Sequence, residues 1–260
     1  MVKKLSGNEV KSKELEMLIW IRDFCRLHNL KYFLHGGTLI GAIRHQGFIP
    51  WDDDIDIAMP RQDYNLFLST FHENNKYKIL SPGQENYYYA FSKFVYRGTS
   101  IQNLSEKSNY GLFIDIFPID NVPANALRRK VFFVKCSIFK KILAHLNDKY
   151  PDSNYGWVKV CYWKIIQVCN YRGIIRRFNR TILSVSKTGE LCSTVTTGTQ
   201  WSIIYEKKWF ASSVSVKFEN ENFAAPVGYD ALLRYIFGDY MLLPPKDKQV
   251  SHGFTYLMNN

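Results

Sequence analysis

The spacing of apolar residues predicts a mixture of helices and strands in the first half of the chain. Apolar positions recur every three or four residues over 9–29, which indicates an amphipathic helix. Short apolar runs at 31–34, 54–59 and 112–117 are typical of strands. Pro118 is expected to end the last of them. Two further helices are predicted at 38–44 and 61–74, with one or two aromatic strands inside 77–97.

The second half of the chain has a different pattern. Basic and aromatic helices are predicted at 125–146 and 157–180, followed by strand-like sequence at 188–218 and a short helix at 229–238. The chain is therefore predicted to be an α+β (mixed α/β) protein, with a small mixed sheet in its core and a largely helical, basic second half. We predict a core over 1–122 with 123–260 packed on it, or alternatively a single domain.

The composition indicates a folded protein with acidic partners. Of the 260 residues, 46% are hydrophobic and 22% are charged, which suffices for a large core and excludes a mainly disordered chain. The 34 Lys and Arg residues outnumber the 23 Asp and Glu residues, so the net charge is +11. This surplus favours nucleic acid, anionic lipid or phosphate-bearing substrates as partners.

A cluster of acidic residues follows a glycine turn. Gly36-Gly37-Thr38 comes directly after a predicted strand, and the acids belong to the next strand. Because side chains alternate along a strand, Asp52, Asp54 and Asp56 share one face. Carboxylates on one face repel each other, and a hard cation such as Mg²⁺ relieves that repulsion while leaving coordination sites for phosphate. A solvated acidic loop, or caps for the helix that follows Pro60, is the alternative interpretation.

One acidic residue, Asp115, lies in the middle of an otherwise apolar strand. Residues 111–118 include no Lys, Arg or His. A buried carboxylate is costly unless it is paired or metal-bound, so Asp115 needs a partner. We predict that it is a further ligand of a cation at Asp54 and Asp56. Pairing with an Arg elsewhere, or a strand-end cap, is the alternative.

Three segments resemble the LicD phosphorylcholine-transferase family. The run from His35 to Pro60, with its Gly-Gly-Thr turn and its Asp-Asp-Asp-Ile-Asp-Ile acids, is the most specific. Residues 111–120 are similar to the second signature of the family. Residues 229–245, with Gly-Asp-Tyr-Met and Pro-Pro, are similar to the C-terminal one. The resemblance covers about residues 15–252, and 125–215 contribute least to it.

The resemblance implies a nucleotidyltransferase-type fold and an enzyme, a LicD-type phosphotransferase. Its members transfer a phospho-substituent from a nucleotide diphosphate donor to a sugar hydroxyl. We therefore expect phosphocholine transfer from CDP-choline to a cell-surface glycan, such as a teichoic acid, capsule or lipopolysaccharide precursor, with release of CMP. One or two Mg²⁺ ions are expected, with Mn²⁺ as the alternative. CDP-glycerol, CDP-ethanolamine and other CDP-alditols stay open as donors.

The resemblance also assigns roles to individual residues. Asp54, Asp56 and Asp115 are expected to be catalytic and to hold the metal, with Asp52 as a further ligand. Donor phosphates are expected near Gly36, Gly37 and Thr38 and near the basic residues Arg44, His45, Lys93 and Arg97. For the basic residues, a solvated surface position is the alternative.

Two aromatic residues near the motifs, Trp51 and Tyr88, are candidates for a choline cage, since a quaternary ammonium binds ring faces. The chain contains 17 Tyr, 18 Phe and 6 Trp, so aromatic content by itself does not identify the cage. Core packing is the alternative for both residues. His252, at the end of the C-terminal signature, is a weaker candidate, with a surface position as its alternative.

Basic and apolar residues alternate over 128–141, and further arginines follow at 172–180. Such helices are typical of a peripheral contact with an anionic membrane, which would suit a lipid-linked glycan acceptor. A solvated helix face is the alternative. The chain opens without an apolar signal segment and its five cysteines form no C-x-x-C pair. A cytoplasmic protein, or one at the inner face of the cytoplasmic membrane, is therefore expected.

Two functions of another class are alternatives to the enzyme. A basic nucleic-acid-binding protein would suit the net charge, but the chain has none of the common nucleic-acid-binding motifs, so no nucleic acid is expected. A non-catalytic glycan-binding relative is disfavoured because Asp54, Asp56 and Asp115 are intact. A protein without catalysis has no need to keep carboxylates that repel one another.

Overall fold

A computed structural model describes residues 2–102, 104, 106–108, 110–149, 156–186, 188–197, 203–251 and 253–259. In these ranges the α-helices are α1 (Gly7–Leu27), α2 (Gly36–Ile40), α3 (Arg61–Thr70), α4 (Ala126–Asn147), α5 (Trp157–Gln167), α6 (Tyr171–Leu183) and α7 (Tyr229–Phe237). The strands are β1 (Val2–Lys4), β2 (Phe33–Leu34), β3 (Ile55–Pro60), β4 (Tyr77–Leu80), β5 (Ser92–Tyr96), β6 (Thr99–Ile101), β7 (Phe113–Asn121), β8 (Leu191–Ser193), β9 (Tyr205–Glu206), β10 (Ser213–Phe218), β11 (Glu221–Pro226) and β12 (Tyr256–Asn259). This mixture confirms the predicted α+β class.

The first helix begins slightly earlier than predicted because it is capped. Ser6 Oγ accepts a hydrogen bond from the Glu9 N–H at 3.3 Å, and the Glu9 carboxylate accepts one from the Ser6 N–H at 2.9 Å. This reciprocal capping box satisfies N–H groups that have no partner within the helix. The helix then buries one face, which includes Met17, Leu18 and Ile21.

The main sheet is mixed, as predicted. Its strands lie in the order β2-β3-β7-β5-β4, and β3 and β7 run parallel while the other neighbours in this order run antiparallel. β8 pairs with the far end of β7, and β9 pairs with β8. The connection from β3 to β7 includes α3, which packs against both strands. By this strand order, the parallel strands β3 and β7 lie in the interior of the sheet.

The central strand β7 is longer than predicted, and Pro118 does not end it. The strand continues to Asn121. Pro118 is in register with Met59 of β3 on one side. On the other side, pairing with β5 ends at Ile116 and pairing with β8 begins at Asp120. Since proline has no N–H to donate to a ladder, this gap between two partner strands accommodates it.

The helices of the second half lie close to their predicted positions, with one correction. The helix predicted over 157–180 is two helices, α5 and α6, separated at residues 168–170. The Asn170 side chain caps α6 by accepting a hydrogen bond from the Gly173 N–H at 3.1 Å. Strands β10 and β11 form an antiparallel hairpin. Within the part of the chain that the structure describes, every helix is too short or too polar to cross a membrane.

A second, smaller sheet brings the two ends of the chain together. Strand β12 lies between β1 and β6 and pairs antiparallel with both. No sequence pattern predicted this sheet. The main hydrophobic core also joins residues from both halves, for example Ile114 and Phe218. The domain boundary near residue 122 stays a prediction.

Candidate active site

Three charged residues form a row across the middle of the main sheet. Asp56 of β3 is in register with Asp115 of β7, and Asp115 is in register with Lys93 of β5. Residues in register on neighbouring strands project from the same face, about 4.8 Å apart. The sheet therefore brings together acids from two separate sequence motifs and one of the predicted basic residues.

Lys93 is an ion-pair partner for Asp115. Its Nζ lies 2.6 Å from Asp115 Oδ1, and Lys93 is only 3% exposed. Three aromatic rings surround the ammonium group, with centroids at 3.5 Å (Phe113), 4.6 Å (Tyr110) and 4.9 Å (Tyr89). The ion pair and the cation–π attraction together compensate for burying the charge.

Asp56 lies at the edge of a cavity but is crowded by protein atoms. Desolvation raises the pKa of Asp56 well above its usual range, and the negative charges of Asp54, Asp115 and Asp52 raise it further. The positive charge of Lys93 opposes this shift. A carboxyl group in such surroundings binds a proton or a cation readily, because either one removes the repulsion.

The glycine turn lies directly against two of the carboxylates. A Cβ atom on Gly37 would lie 2.6 Å from Asp52 Oδ2, and one on Gly36 would lie 3.0 Å from Asp56 Oδ2. Gly36 also has a φ of +54°, which glycine adopts without strain. Thr38 Oγ1 accepts a 2.8 Å hydrogen bond from the Asp56 N–H. Helix α2 begins at Gly36, two residues before the predicted start, so the turn and the acids form one unit.

A cavity of about 740 Å³ opens beside the row. The acidic part of its lining consists of Asp52, Asp54, Asp56, Glu106, Asp115 and Asp148. A second part, which we call the basic wall, consists of Lys140, Lys141, Ser193, Thr194, Thr196 and Thr197. The volume is that of a typical small-molecule site. Acids, hydroxyls and ammonium groups therefore line one cavity.

The acidic lining suits a hard cation by its chemistry. Carboxylate oxygens are the ligands that Mg²⁺ prefers, and a cation would relieve the repulsion that raises the pKa of Asp56. Among the described residues, no three His, Cys, Asp or Glu side chains already form a metal-binding cluster. Mg²⁺ usually keeps several waters and binds one or two carboxylates together with substrate phosphates, so an open arrangement is compatible with it. The ligand set of Asp52, Asp54, Asp56 and Asp115 stays a prediction.

Two of the predicted phosphate-binding residues point to other partners and do not line the cavity. Arg44 donates hydrogen bonds to the carbonyl oxygens of Tyr240, at 2.7 Å, and Leu242, at 3.0 Å. Arg97 forms an ion pair with Glu73. Arg44 thus fastens the segment after α7 to the first motif, while Arg97 lies beside the end of β5.

The two candidate cage residues are separated by the fold. Tyr88 lines the cavity, and its ring lies 4.8 Å from the ring of Tyr171. Trp51 is not part of the lining, and its ring lies 6.2 Å from the ring of His45, another predicted phosphate-binding residue. The roles predicted for Trp51, Tyr88 and His45 stay predictions. His252 lies outside the described residues.

Sequence reasoning missed several residues of the cavity. Glu106 lines it and accepts a hydrogen bond from the Tyr89 hydroxyl, and no local pattern indicated Glu106. The hydroxyl-rich run 193–197 was visible in the sequence, but only as part of a strand-like segment. Lys140 and Lys141 were assigned to a basic surface helix, because their place in the cavity lining depends on how α4 packs.

Glu14 was also missed, although it lies near the acids. It belongs to α1, is 0% exposed, and neither carboxyl oxygen has a hydrogen-bond partner among the described residues. Burial raises the pKa of Glu14 well above its usual range, and the charges of Asp54 and Asp53 raise it further. An acid on the buried side of a helix is invisible to sequence reasoning unless its neighbours in space are known.

Comparisons with known proteins agree with the sequence motifs. The family model described as "LicD/FKTN/FKRP, nucleotidyltransferase domain" matches residues 29–146. The lipopolysaccharide cholinephosphotransferase LicD of Haemophilus influenzae is 29% identical over 279 residues, covering 96% of this chain and 97% of that protein. The human ribitol 5-phosphate transferase FKRP is 47% identical over 34 residues, covering 13% of this chain and 7% of that protein.

The fold, the acidic row and the matched region together define a transferase with a nucleotidyltransferase domain. The matched region contains the glycine turn, Asp54, Asp56 and Asp115. Residues 29–146 match the nucleotidyltransferase domain of the LicD family, and the chain is similar to a LicD transferase along nearly its whole length, so it is an enzyme of the LicD phosphotransferase type. The resemblance seen in the sequence is therefore confirmed.

Proposed function

We propose that the protein transfers a phospho-substituent from a CDP-activated donor to a hydroxyl group of a cell-surface glycan and releases CMP. One observation carries the proposal: Asp56 and Asp115 stand in register beside the Gly36-Gly37 turn and a cavity of about 740 Å³. Carboxylates at such a position suit phosphoryl transfer for two reasons. They can bind a cation that contacts a phosphate, and they can accept a proton close to the same phosphate.

Phosphocholine from CDP-choline is the transferred group that the relatives favour. The similar Haemophilus influenzae protein is named a lipopolysaccharide cholinephosphotransferase, and its likeness extends over 96% of this chain. The likeness to the ribitol 5-phosphate transferase FKRP covers 13% of the chain, which keeps CDP-glycerol, CDP-ethanolamine and other CDP-alditols as alternative donors. A lipopolysaccharide precursor is the acceptor that the first relative supports, with a teichoic acid or capsule precursor as alternatives.

The acids have separate tasks in this proposal. Mg²⁺, or alternatively Mn²⁺, held by Asp54 and Asp56 with Asp52 as a further ligand, would supply the positive charge that stabilises phosphate oxygens. Asp115, held in place by Lys93 at 2.6 Å, would accept the proton of the acceptor hydroxyl. The acceptor oxygen forms a bond to the phosphorus that carries choline. The bond between that phosphorus and the CMP oxygen breaks, and CMP leaves.

A peripheral contact with an anionic membrane is part of the proposal, since it would bring the enzyme to a lipid-linked acceptor. On α4, Leu127, Val131, Val134 and Ile138 are exposed at spacings of three and four residues. Exposed lysines such as Lys135 lie beside this apolar stripe. An apolar stripe flanked by basic residues suits the surface of an anionic bilayer. The protein would then work at the inner face of the cytoplasmic membrane.

The test is thermal unfolding with Mg²⁺ and a panel of donors: CDP-choline, CDP-ethanolamine, CDP-glycerol and UDP-sugars. A ligand at a hundred times its Kd adds about 2.7 kcal/mol to the free energy of unfolding. For a chain of this size, the melting temperature then rises by about 2–4 °C per kcal/mol. Asp56→Asn should remove the Mg²⁺-dependent rise and abolish turnover, while the exposed Asp247→Asn serves as the matched control.

The outcomes separate the donor from the site. A Mg²⁺-dependent rise in melting temperature that is largest with CDP-choline and absent in Asp56→Asn supports both CDP-choline as the donor and the acidic row as the site. Equal rises with all CDP compounds support the nucleotide site but leave the transferred group open. Full activity in Asp56→Asn would contradict the assignment of the acidic row.

A further inference from the structure

The basic wall of the cavity has a chemistry of its own. Lys140 and Lys141 belong to the last two turns of α4, and the hydroxyl residues come from the segment that begins at the end of β8. Ser193, Thr194 and Thr196 are each 5% exposed or less. Ammonium and hydroxyl groups donate hydrogen bonds, so this wall is built to hold an acceptor with negative charge.

Thr196 contributes a buried hydroxyl group to the wall. It is 3% exposed, and its Oγ1 has no hydrogen-bond partner among the described residues. The neighbouring hydroxyls differ, because Thr197 Oγ1 donates to the Thr194 carbonyl at 2.8 Å and Thr194 Oγ1 lies 3.3 Å from the Tyr205 hydroxyl. A buried hydroxyl without a partner is unfavourable, so the Thr196 position indicates a binding site.

Lys140 is the charged anchor of the wall. Its Nζ donates a 2.9 Å hydrogen bond to the Thr197 carbonyl oxygen, which joins α4 to the hydroxyl segment. Burial lowers the pKa of Lys140, so an anion beside it would stabilise its charged form. Lys141 lines the same cavity one residue further along.

Charge decides where the phosphates of a donor can lie. Next to Asp52, Asp54 and Asp56 a phosphate is repelled unless a cation lies between. The basic wall lines the same cavity and attracts a phosphate directly. A diphosphate donor has two phosphates, and only one of them is transferred. The cavity thus offers a distinct environment for each.

We propose that the basic wall, through Lys140, Lys141 and Thr196, binds the phosphate of the nucleoside monophosphate that leaves in the reaction. This inference rests on the proposed function. The transferred phosphorus lies on the acidic side, its bond to the bridging oxygen breaks, and that oxygen leaves with the nucleoside monophosphate. The wall then neutralises the negative charge that develops on this leaving phosphate.

The test compares the affinities of three probes by isothermal titration calorimetry: CMP, cytidine and inorganic pyrophosphate. Lys140→Gln should weaken CMP and pyrophosphate about tenfold or more, since a hydrogen bond to a charged group is lost, and should leave cytidine unchanged. Lys217→Gln is the control, because it removes the same charge from an exposed position outside the cavity lining. It should bind all three probes as the wild type does.

Thr196→Val gives a second and independent readout. Valine has nearly the shape of threonine but lacks the hydroxyl, which has no hydrogen-bond partner among the described residues. This variant should therefore melt at a higher temperature than the wild type without ligand, yet bind CMP and pyrophosphate more weakly. A purely structural role for Thr196 would not combine these two effects.

The outcomes distinguish this inference from the proposed function. If Lys140→Gln binds CMP and pyrophosphate as the wild type does, the proposed phosphate binding by the basic wall is wrong. The proposal of a CDP-activated donor is not affected by that result. If Lys140→Gln does not fold, unchanged affinity in Thr196→Val overturns phosphate binding by the basic wall in the same way. Binding of pyrophosphate that depends on Lys140, without binding of CMP, supports the wall and overturns the cytidine donor. Absence of binding by all three probes overturns both.

Discussion

The ion pair between Lys93 and Asp115 is the residue-scale feature on which the geometry of the acidic row depends. Both residues lie in the middle of a sheet, and the ammonium group is enclosed by aromatic rings such as Phe113. Removing one partner of a buried ion pair destabilises a protein more than replacing both partners, because the other charge stays buried without compensation. Lys93 was predicted to bind phosphate, and its contact with Asp115 supports a positioning role instead.

Lys93→Met should lower the free energy of unfolding by about 3–5 kcal/mol, because it leaves the Asp115 carboxylate without its counter-charge. The double variant Lys93→Met/Asp115→Asn should recover part of this loss, since the carboxylate is removed as well. Chemical denaturation of the wild type, both single variants and the double variant measures the coupling. If the double variant lost as much free energy of unfolding as the two single variants together, the ion pair would make no contribution to stability.

Glu14 carries a second residue-scale prediction, which concerns pH. Because its pKa is raised in the folded protein, the folded state holds a proton at pH values where the unfolded state has lost it. Stability is therefore lost as pH rises above the ordinary Glu range, and Glu14→Gln avoids that loss. The variant should melt at a higher temperature than the wild type at pH 8, and the difference should shrink towards pH 5.

Glu16 on the same helix provides the matched control. Burial opposes the shift, but hydrogen bonds from Lys76 and Tyr77 lower the pKa of Glu16 overall. Its charged form therefore stabilises the folded state above the ordinary Glu range, and Glu16→Gln should lower the melting temperature at pH 8. If both variants melted above the wild type at pH 8, or both melted below it, the raised pKa of Glu14 would be contradicted.

At the scale of elements, α4 has two functional faces. Near its C-terminal end, Lys140 and Lys141 line the cavity, while Phe132, Cys136 and Leu143 pack into a small core with α6. Its remaining face carries the exposed apolar stripe described above. The basic segment 128–141 was predicted to contact a membrane, with a solvated helix face as the alternative, and the packing of the helix divides it between the cavity and solvent.

The exposed face of α4 predicts binding to anionic vesicles. The protein should float with vesicles that contain phosphatidylglycerol, and the triple reversal Arg128→Glu/Lys130→Glu/Lys135→Glu should release it, because each basic residue near the surface contributes about 1 kcal/mol. The same number of reversals at the exposed Lys217, Lys246 and Lys248 is the control. Equal binding by the triple variant and the wild type would exclude this surface.

At the scale of the whole molecule, the small sheet closes the chain on itself. Strand β12 is the middle strand between β1 and β6, and its residue Tyr256 is 2% exposed. The Leu5 N–H also donates to the Tyr256 carbonyl oxygen at 2.9 Å. Segments that are far apart in sequence therefore support each other beside the main core.

Removal of residues 254–260 should destabilise the protein far more than removal of residues 2–4. The first deletion takes away the middle strand and its buried tyrosine, whereas the second takes away an edge strand whose residues are all exposed. Burying a large side chain contributes about 1.5–3 kcal/mol, in addition to the lost ladder hydrogen bonds. Thermal unfolding of the two deletion variants measures the difference, and equal losses would contradict the central role of β12.

The sequence by itself determined most of the helices, the central strands and the identity of the acidic motifs. These features depend on local spacing: period 3.6 for α1 and α4, alternation for β3, and a glycine turn upstream of Asp52 and Asp56 within one motif. Family membership also followed from contiguous residues, because the run from His35 to Pro60 is a local pattern.

Only the tertiary structure decided which residues meet. The register of β3, β7 and β5 placed Asp56, Asp115 and Lys93 in one row, and a shift of one residue would turn each side chain to the other face. The continuation of β7 through Pro118 depended on the neighbouring strands, and the place of Lys140 in the cavity lining depended on helix packing. Register and packing are set by contacts between distant segments, and spacing along a single chain does not record such contacts.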